Sequence, residues 1–456
     1  MIDHSRRVQL ADDLLRRFAA AVRGAQLYSG AHPLVGRNIA ALADAIGAWL
    51  GHQRSVTIGV VGSEFVVGDV PLPRTSTGMA DLLRRLERVG VERITIERDV
   101  AKEEVAALVQ ALATAEAHGA AGPPALPQLP HISVGVLQLQ QRVDAPVVDS
   151  EAVRRIYADA TTEAATIWEQ ARVEGRPDPA QARGVVDALA QAAAQSRSAL
   201  LALTALKQYD NYTFTHMVNV SILTMAQARA AGIDGTLLRE FGMAGLMHDI
   251  GKVRTPDEIL NKPDRLTDSE FAIMRRHVID GAEILRRTPE TPPIVPVVAF
   301  EHHLRIDGTG YPAGVTRPSL NLATQLCGIA DVYDAMRSYR KYQTAFPTER
   351  ILVVLQRNDG AQFDQRLVRR FVQIVGIYPV GNLVRLDTGE AGVVVRVNAA
   401  DPRRPYVRVV LDAAGRRLGR PYDVALWDER AGSGRPAAVV APLDPAEFGL
   451  DQLALL

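Results

Sequence analysis

The chain has 456 residues, 47% hydrophobic and 23% charged, with 52 Lys and Arg balanced by 52 Asp and Glu. That length suggests two to four domains, and the composition excludes wholesale disorder. A formal net charge of zero removes the broad positive field of a dedicated nucleic-acid binder, so an anionic ligand must be held by local charge. The single cysteine, Cys327, cannot form a disulfide within the chain and fits a reducing compartment. With no signal-peptide core after Met1 and no run of 18 uncharged apolar residues, the sequence predicts a cytoplasmic protein without a membrane span.

From about residue 6 to 52, apolar positions recur every three or four residues (Leu10, Leu14, Phe18, Val22, then Ile39, Leu42, Ile46, Leu50), which predicts two amphipathic helices. The β-branched runs 55–61 and 64–70, divided by Gly62-Ser63, predict a hairpin. A helix near 78–89, a strand near 92–97 and a helix near 102–115 complete an N-terminal α+β domain over residues 1–118, placed where a regulatory or dimerising unit would sit. Residues 119–149 read as a linker with a strand near 132–139, because four prolines and two glycines fall between Gly119 and Pro130.

Residues 150–376 are rich in Ala, Leu, Gln and Arg with helical periodicity and predict an all-α bundle. Within it, Thr267-Asp268-Ser269-Glu270 is a capping box that opens a helix expected to run to about Arg287. From 377 to 456 the pattern changes to short alternating strands, a small all-β domain in which Arg404 and Arg408 read as arginines on a solvated strand.

The histidines gather in the helical segment. His216, His248, His277 and His302 are spaced by 32, 29 and 25 residues, His303 follows directly, and Asp331 lies 28 further on. Each interval is about one helix plus its connection, so each helix could deliver one group to a shared interior point. Imidazole with carboxylate suits borderline divalent metals such as Fe, Mn, Zn, Co or Ni. Taken singly, each histidine is more readily a surface or hydrogen-bonded core residue than a ligand; the regular spacing argues for the set.

Two blocks carry a resemblance: Ala244-Gly245-Leu246-Met247-His248-Asp249-Ile250-Gly251-Lys252, and His302-His303-Leu304-Arg305-Ile306-Asp307-Gly308-Thr309-Gly310-Tyr311-Pro312. With Tyr212-Thr213-x-x-His216, Ile259-Leu260-Asn261-Lys262-Pro263, Met274 to His277, and Ala330-Asp331-Val332-Tyr333-Asp334-Ala335, the segment 205–375 resembles the HD-GYP family of cyclic-di-GMP phosphodiesterases within the HD superfamily. The tail from Tyr378 resembles the small β extension that often follows such domains.

The resemblance implies a helical domain with two divalent ions, Fe or Mn. His216, His248, Asp249 and Asp331 would hold one, and Asp249 would bridge to a second held by His277, His302 and His303. A hydroxide between the ions would attack phosphorus in line, opening cyclic di-GMP to pGpG and/or GMP. Lys252 would meet a non-bridging phosphate oxygen if the helix continues past Asp249; otherwise it is a solvated lysine at a helix end. Asp334 would protonate the leaving oxygen or, the favoured role, orient a metal-bound histidine. Tyr311 would touch substrate or pack as a loop ring, and Arg340 would grip a phosphate.

Three positions depart from the family. Leu304 stands where Glu is usual, which alters anchoring of the loop; Gln343 replaces a charged residue; and Tyr212 stands where some members carry Glu and bind a third metal, so two ions are expected. Beyond a cyclic dinucleotide, the expected partners are signalling proteins and a second copy of the chain, with no nucleic acid. Two rival functions stay open, a non-catalytic cyclic-dinucleotide sensor and an HD phosphohydrolase acting on another nucleotide such as cyclic GMP-AMP.

Overall fold

The computed structural model describes residues 4–30, 32–51, 53–61, 64–68, 70–72, 77–115, 129–135, 150–195, 197–204, 212–315, 320–337, 348–357, 361–428 and 437–456. By internal contacts the chain divides into two units, residues 1–138 with 231–237, and residues 139–230 with 238–456. Most of the predicted linker, residues 119–128 and 136–149, lies outside the described residues.

In the first unit, helices α1 (His4–Leu27) and α2 (Pro33–Leu50) precede β1 (Ser55–Val61), β2 (Glu64–Val67) and β3 (Val70–Leu72); α3 (Thr77–Arg88), β4 (Arg93–Glu97), α4 (Lys102–Thr114) and β5 (Ile132–Gly135) follow. The strands form one antiparallel sheet in the order β3-β2-β1-β4-β5. The apolar stripes of α1 and α2 (Leu14, Phe18, Leu42, Ile46) join Ile58, Val67 and Ile94 in one core. The strand expected over 64–70 is broken instead: the chain turns at Gly68, whose N–H donates to the Thr57 carbonyl (2.7 Å), and resumes as β3. The turn expected at Gly62-Ser63 lies outside the described residues.

The helical part of the second unit runs through α5 (Ser150–Glu174), α6 (Pro179–Gln195), α7 (Arg197–Thr204), α8 (Tyr212–Ala230), α9 (Gly235–Met247), a 3₁₀ turn (Ile250–Arg254) and α10 (Asp257–Leu260). It continues with α11 (Asp268–Met274), α12 (His277–Arg287), α13 (Ile294–Glu301), α14 (Leu322–Arg337), α15 (Thr348–Arg357) and α16 (Gln365–Val375). Helix α14 is buried continuously from Leu322 to Asp331, and the central turns of α8 are buried all round, so these two are core helices and their polar residues face protein, not solvent. Strands β6 (Leu383–Leu386), β7 (Ala391–Arg396), β8 (Tyr406–Leu411), β9 (Arg417–Ala425) and β10 (Val439–Leu443) form an antiparallel sheet in the order β10-β6-β7-β8-β9. Here Arg408 is not a solvated arginine: it grips Asp423 on β9 with two nitrogens (2.8 and 3.1 Å) and donates to the Leu455 and Leu456 carbonyls. Arg404 pairs with Asp401 at 3.5 Å. No helix among the described residues is long and apolar enough to cross a membrane.

The capping box is present, with the Glu270 N–H donating to Thr267 Oγ1 and the Thr267 N–H donating to the Glu270 carboxylate, but the helix it opens ends at Met274. Its expected continuation to Arg287 is interrupted at Arg275 and Arg276, and α12 begins at His277, where the Met274 carbonyl accepts the His277 ring N–H (2.7 Å). Just past His248 the chain packs equally tightly. A Cβ on Gly251 would lie 2.0 Å from the His277 carbonyl oxygen and 2.4 Å from the Gly281 nitrogen, both backbone atoms that cannot step aside.

Gly251→Ala is therefore expected to cost about 1–3 kcal/mol through overpacking, lowering the melting temperature by roughly 2 °C or more per kcal/mol for a domain of this size; an unchanged melting curve would contradict the packing described. A second expectation concerns acid. Lys262, and then the Thr267 N–H, hold the Glu270 carboxyl down to about 2. Because this pKa lies below the unfolded value of about 4.3, the contact stabilises above that value and is lost as pH falls through it towards 2. Melting temperatures of wild type and Glu270→Gln should differ at pH 7 and converge by about pH 2.

Candidate metal centre

Five segments deliver the polar cluster. His216 lies in the first turn of α8, His248 and Asp249 at the break between α9 and the 3₁₀ turn, His277 at the start of α12, His302 and His303 just past the end of α13, and Asp331 in the middle of α14. Their donor atoms form two groups, His216, His248 and Asp331 in one and Asp249, His277, His302 and His303 in the other, each within a span of 4.8 Å. Asp249 lies between them. Its Oδ2 is 3.4 Å from His248 Nε2 and 3.8 Å from His216 Nε2, while its Oδ1 is 3.3 Å from His277 Nε2 and 3.7 Å from His302 Nε2. His216 Nε2 is also 3.2 Å from Asp331 Oδ1.

The backbone decides which nitrogen of each ring is bare. The Nδ1–H groups of His248, His277 and His302 donate to the carbonyls of Gly245 (2.8 Å), Met274 (2.7 Å) and Ala299 (3.0 Å), and that of His216 donates to Asp334 (2.8 Å). Every Nε2 then carries a lone pair directed inward. His277 Nε2 faces His302 Nε2 at 3.3 Å, a contact between two lone pairs that only an intervening cation or an added proton relieves. His248 Nε2 and Asp249 Oδ1 are buried with no hydrogen-bond partner, a penalty of about 1–3 kcal/mol each if left so. Donors around an ion with bonds of about 2.1 Å stand roughly 3.0–3.4 Å apart, close to the spacings here. The residues fit divalent metal binding.

Electrostatics agree. Burial would raise the Asp249 and Asp331 carboxyls, yet Lys252 and His248 around the first, and His216 and His248 around the second, hold both well below the usual range. Burial pushes His277 down to about 3 and His303 well below its ordinary value, which keeps both neutral and able to ligate. At His216 burial also lowers the pKa, but hydrogen bonds to Asp331 and Asp334 outweigh it and raise it to about 9. The space between His216 and Asp331 thus attracts positive charge, a proton when nothing else supplies it.

The remaining sequence-derived candidates separate. The α9 helix stops at Met247, so Lys252 does not ride on a continued helix; from the 3₁₀ turn its ammonium pairs directly with Asp249 Oδ2 and stays a quarter exposed. Asp334 is fully buried behind His216, between its ring and Asn219 Nδ2 (2.9 Å). A carboxylate so enclosed and so bonded has no path to a leaving oxygen, which corrects its naming as a catalytic group and leaves the orienting role. The Tyr311 ring packs on His303, with centroids 4.4 Å apart, and meets Phe271 edge-on at 6.2 Å. Leu304, in place of the usual Glu, anchors its loop by bridging to Gly310 through backbone; the latter has φ +95°, and a Cβ there would meet the His303 carbonyl at 2.3 Å. Arg340 and Gln343 lie outside the described residues, and of Tyr212 only the backbone, opening α8, is described.

Sequence reading missed the shell behind the ligands. Asn219 was within reach, being one helical turn after His216. Tyr157, which donates to Asn219 Oδ1 (2.7 Å), left no signal. Glu301 is fully buried and accepts from Asn321 and Thr324 (3.1 Å each), tying the start of α14 to the end of α13 beside His302.

Comparison with known proteins agrees with this arrangement. Residues 187–367 match the family described as HD domain, and residues 383–431 match the KOW domain associated with HD domain. The helical middle of the chain thus matches the HD domain family, and the all-β region after it matches the associated KOW domain. A cyclic di-GMP phosphodiesterase of Pseudomonas aeruginosa is 40% identical over 248 residues, 54% of this chain and 60% of that protein. A cyclic di-GMP phosphodiesterase response regulator of Xanthomonas campestris pv. campestris is 33% identical over 165 residues, 36% of this chain and 44% of that one. A 3'3'-cGAMP-specific phosphodiesterase of Vibrio cholerae is 31% identical over 158 residues, 35% of this chain and 36% of that one. The matches span between 36% and 60% of the length of these relatives.

Because one carboxylate faces both groups of imidazoles, Asp249→Ala should reduce bound Mn²⁺ or Fe²⁺ to one ion or none per chain, read by elemental analysis of folded protein. A variant that retains two ions would refute the shared position.

Proposed function

We propose that this chain is a cytoplasmic metal-dependent phosphodiesterase that hydrolyses cyclic di-GMP to pGpG and/or GMP with two divalent ions, Fe or Mn. The observation that carries this reading is the Asp249 carboxylate, with one oxygen towards His216 and His248 and the other towards His277 and His302. In it His216, His248, Asp249 and Asp331 hold one ion, while Asp249, His277, His302 and His303 hold the second. Ions so held supply Lewis acidity at phosphorus and make water a nucleophile at neutral pH.

The chain's own groups do the rest. Asp334 and three backbone carbonyls fix the imidazole tautomers, so the donors need no reorganisation. Lys252 is paired with Asp249, and its exposed side is available to a non-bridging phosphate oxygen. Tyr311 covers His303, and beyond it Phe271 is 44% exposed with the Arg275 guanidinium 5.0 Å over its ring, a rim whose aromatic and cationic character suits a purine base. The N-terminal unit is assigned a regulatory or dimerising role, with homodimers and signalling proteins as its partners.

A second reading has one observation in its favour: a Vibrio cholerae relative is named for 3'3'-cGAMP and is 31% identical over 158 residues, a length close to the 165 matched by the Xanthomonas enzyme. The test is turnover by anaerobically purified protein supplied with Mn²⁺ or Fe²⁺, with both cyclic dinucleotides in competition. Conversion of cyclic di-GMP to linear product, preferred over cyclic GMP-AMP, is expected; binding without product would replace the enzyme with a sensor. Lys252→Ala should leave metal content intact and raise KM by about tenfold, in keeping with loss of a charge-assisted hydrogen bond of 1.5 kcal/mol or so.

A further inference from the structure

The hydrogen bonds behind His216 run in one direction. Tyr157 Oη donates to Asn219 Oδ1 (2.7 Å), Asn219 Nδ2 donates to Asp334 Oδ1 (2.9 Å), and Asp334 Oδ2 accepts from His216 Nδ1 (2.8 Å). All four side chains are buried, none more than 5% exposed. A phenol has one proton to give. Given to the Asn219 oxygen, it sets which face of that amide turns to Asp334; the NH₂ then occupies one carboxylate oxygen and leaves the other for the imidazole N–H. The tautomer that results keeps the lone pair of His216 Nε2 towards Asp331 and Asp249. Burial, followed by the nearby Asp334 charge, pushes the Tyr157 phenol upward, so it remains the donor.

The source of this proton is unusual. Tyr157 belongs to α5 (Ser150–Glu174), ahead of the segment 187–367 that matches the HD domain family, and α5 follows the first unit in sequence with residues 139–149 between. We propose that Tyr157 is a positioning residue for the metal centre, through which the placement of α5 sets how firmly the His216 group binds an ion. A helix displaced by even one ångström breaks the 2.7 Å contact, removes the restraint that holds the Asn219 amide against Asp334, and loosens the ring that ligates. The inference rests on the metal-binding reading of the site and not on the identity of the nucleotide.

The experiment uses the full chain, stripped with chelator and titrated with Co²⁺, whose ligand-field absorption reports the geometry of imidazole and carboxylate ligation. Tyr157→Phe keeps the ring and removes only the donor. It should weaken Co²⁺ binding at one of two sites by about 10–100-fold, the usual effect of losing an outer hydrogen bond, and alter the absorption band while circular dichroism stays native. Val153→Ala, on the same helix and equally buried, removes packing without a hydrogen bond and should leave Co²⁺ affinity within about twofold. Wild-type affinity and spectrum in Tyr157→Phe would overturn the proposal, as would an equal loss in Val153→Ala. A wild-type chain that binds two Co²⁺ but turns over no cyclic dinucleotide would defeat the phosphodiesterase reading alone.

Discussion

The arrangement depends on a single buried negative charge. Asp249 is almost inaccessible to water, and burial by itself would drive its carboxyl to protonate, yet Lys252 and the surrounding imidazoles keep it ionised. An ionised carboxylate has two equivalent oxygens, and this one stands where two groups of histidines meet. With the bare Nε2 atoms of His277 and His302 beside it, this carboxylate completes an electron-rich pocket that a cation would fill. The close approach of Gly251 to His277 and Gly281 is what lets the backbone bring Asp249 this deep.

Around that charge the helices act as a frame that fixes proton positions. Four of the inward-facing imidazoles have the outer nitrogen tied, three of them to carbonyls three residues back in their own turn and His216 to Asp334. The arrangement is visible at the break after Met274, whose carbonyl accepts a hydrogen bond from a ring. A centre built this way is rigid in exactly the degree of freedom, ring rotation, that flexible histidines would lose on ligation.

Much of this was legible in the sequence. The amphipathic stripes of α1 and α2, the capping box at Thr267 and the switch to short strands after residue 377 are local patterns, and local patterns report which face of a segment is buried. The spacing of His216, His248, His277, His302 and Asp331 foretold a convergence, although the intervals are not the single helix and connection expected, since the 3₁₀ turn, α10 and α11 all lie between His248 and His277. What escaped was set by tertiary contact. Nothing in residues 267–287 announces that the Met274 carbonyl would be captured by His277, and a bond between Tyr157 and Asn219, 62 positions apart, leaves no periodic trace. Asp334 was read with two roles open, and only its enclosure behind His216 separated them.

The wide separation of the donors along the chain ties folding to metal supply. A cation that recognises side chains gathered from α8, α12 and α14 has no comparable site on the unfolded polypeptide, so it favours the folded form by mass action, by about 2.7 kcal/mol when its free concentration is a hundred times its dissociation constant. Starving a cell of that cation would then deplete the protein itself, through unfolding and proteolysis, as well as silence the molecules that survive.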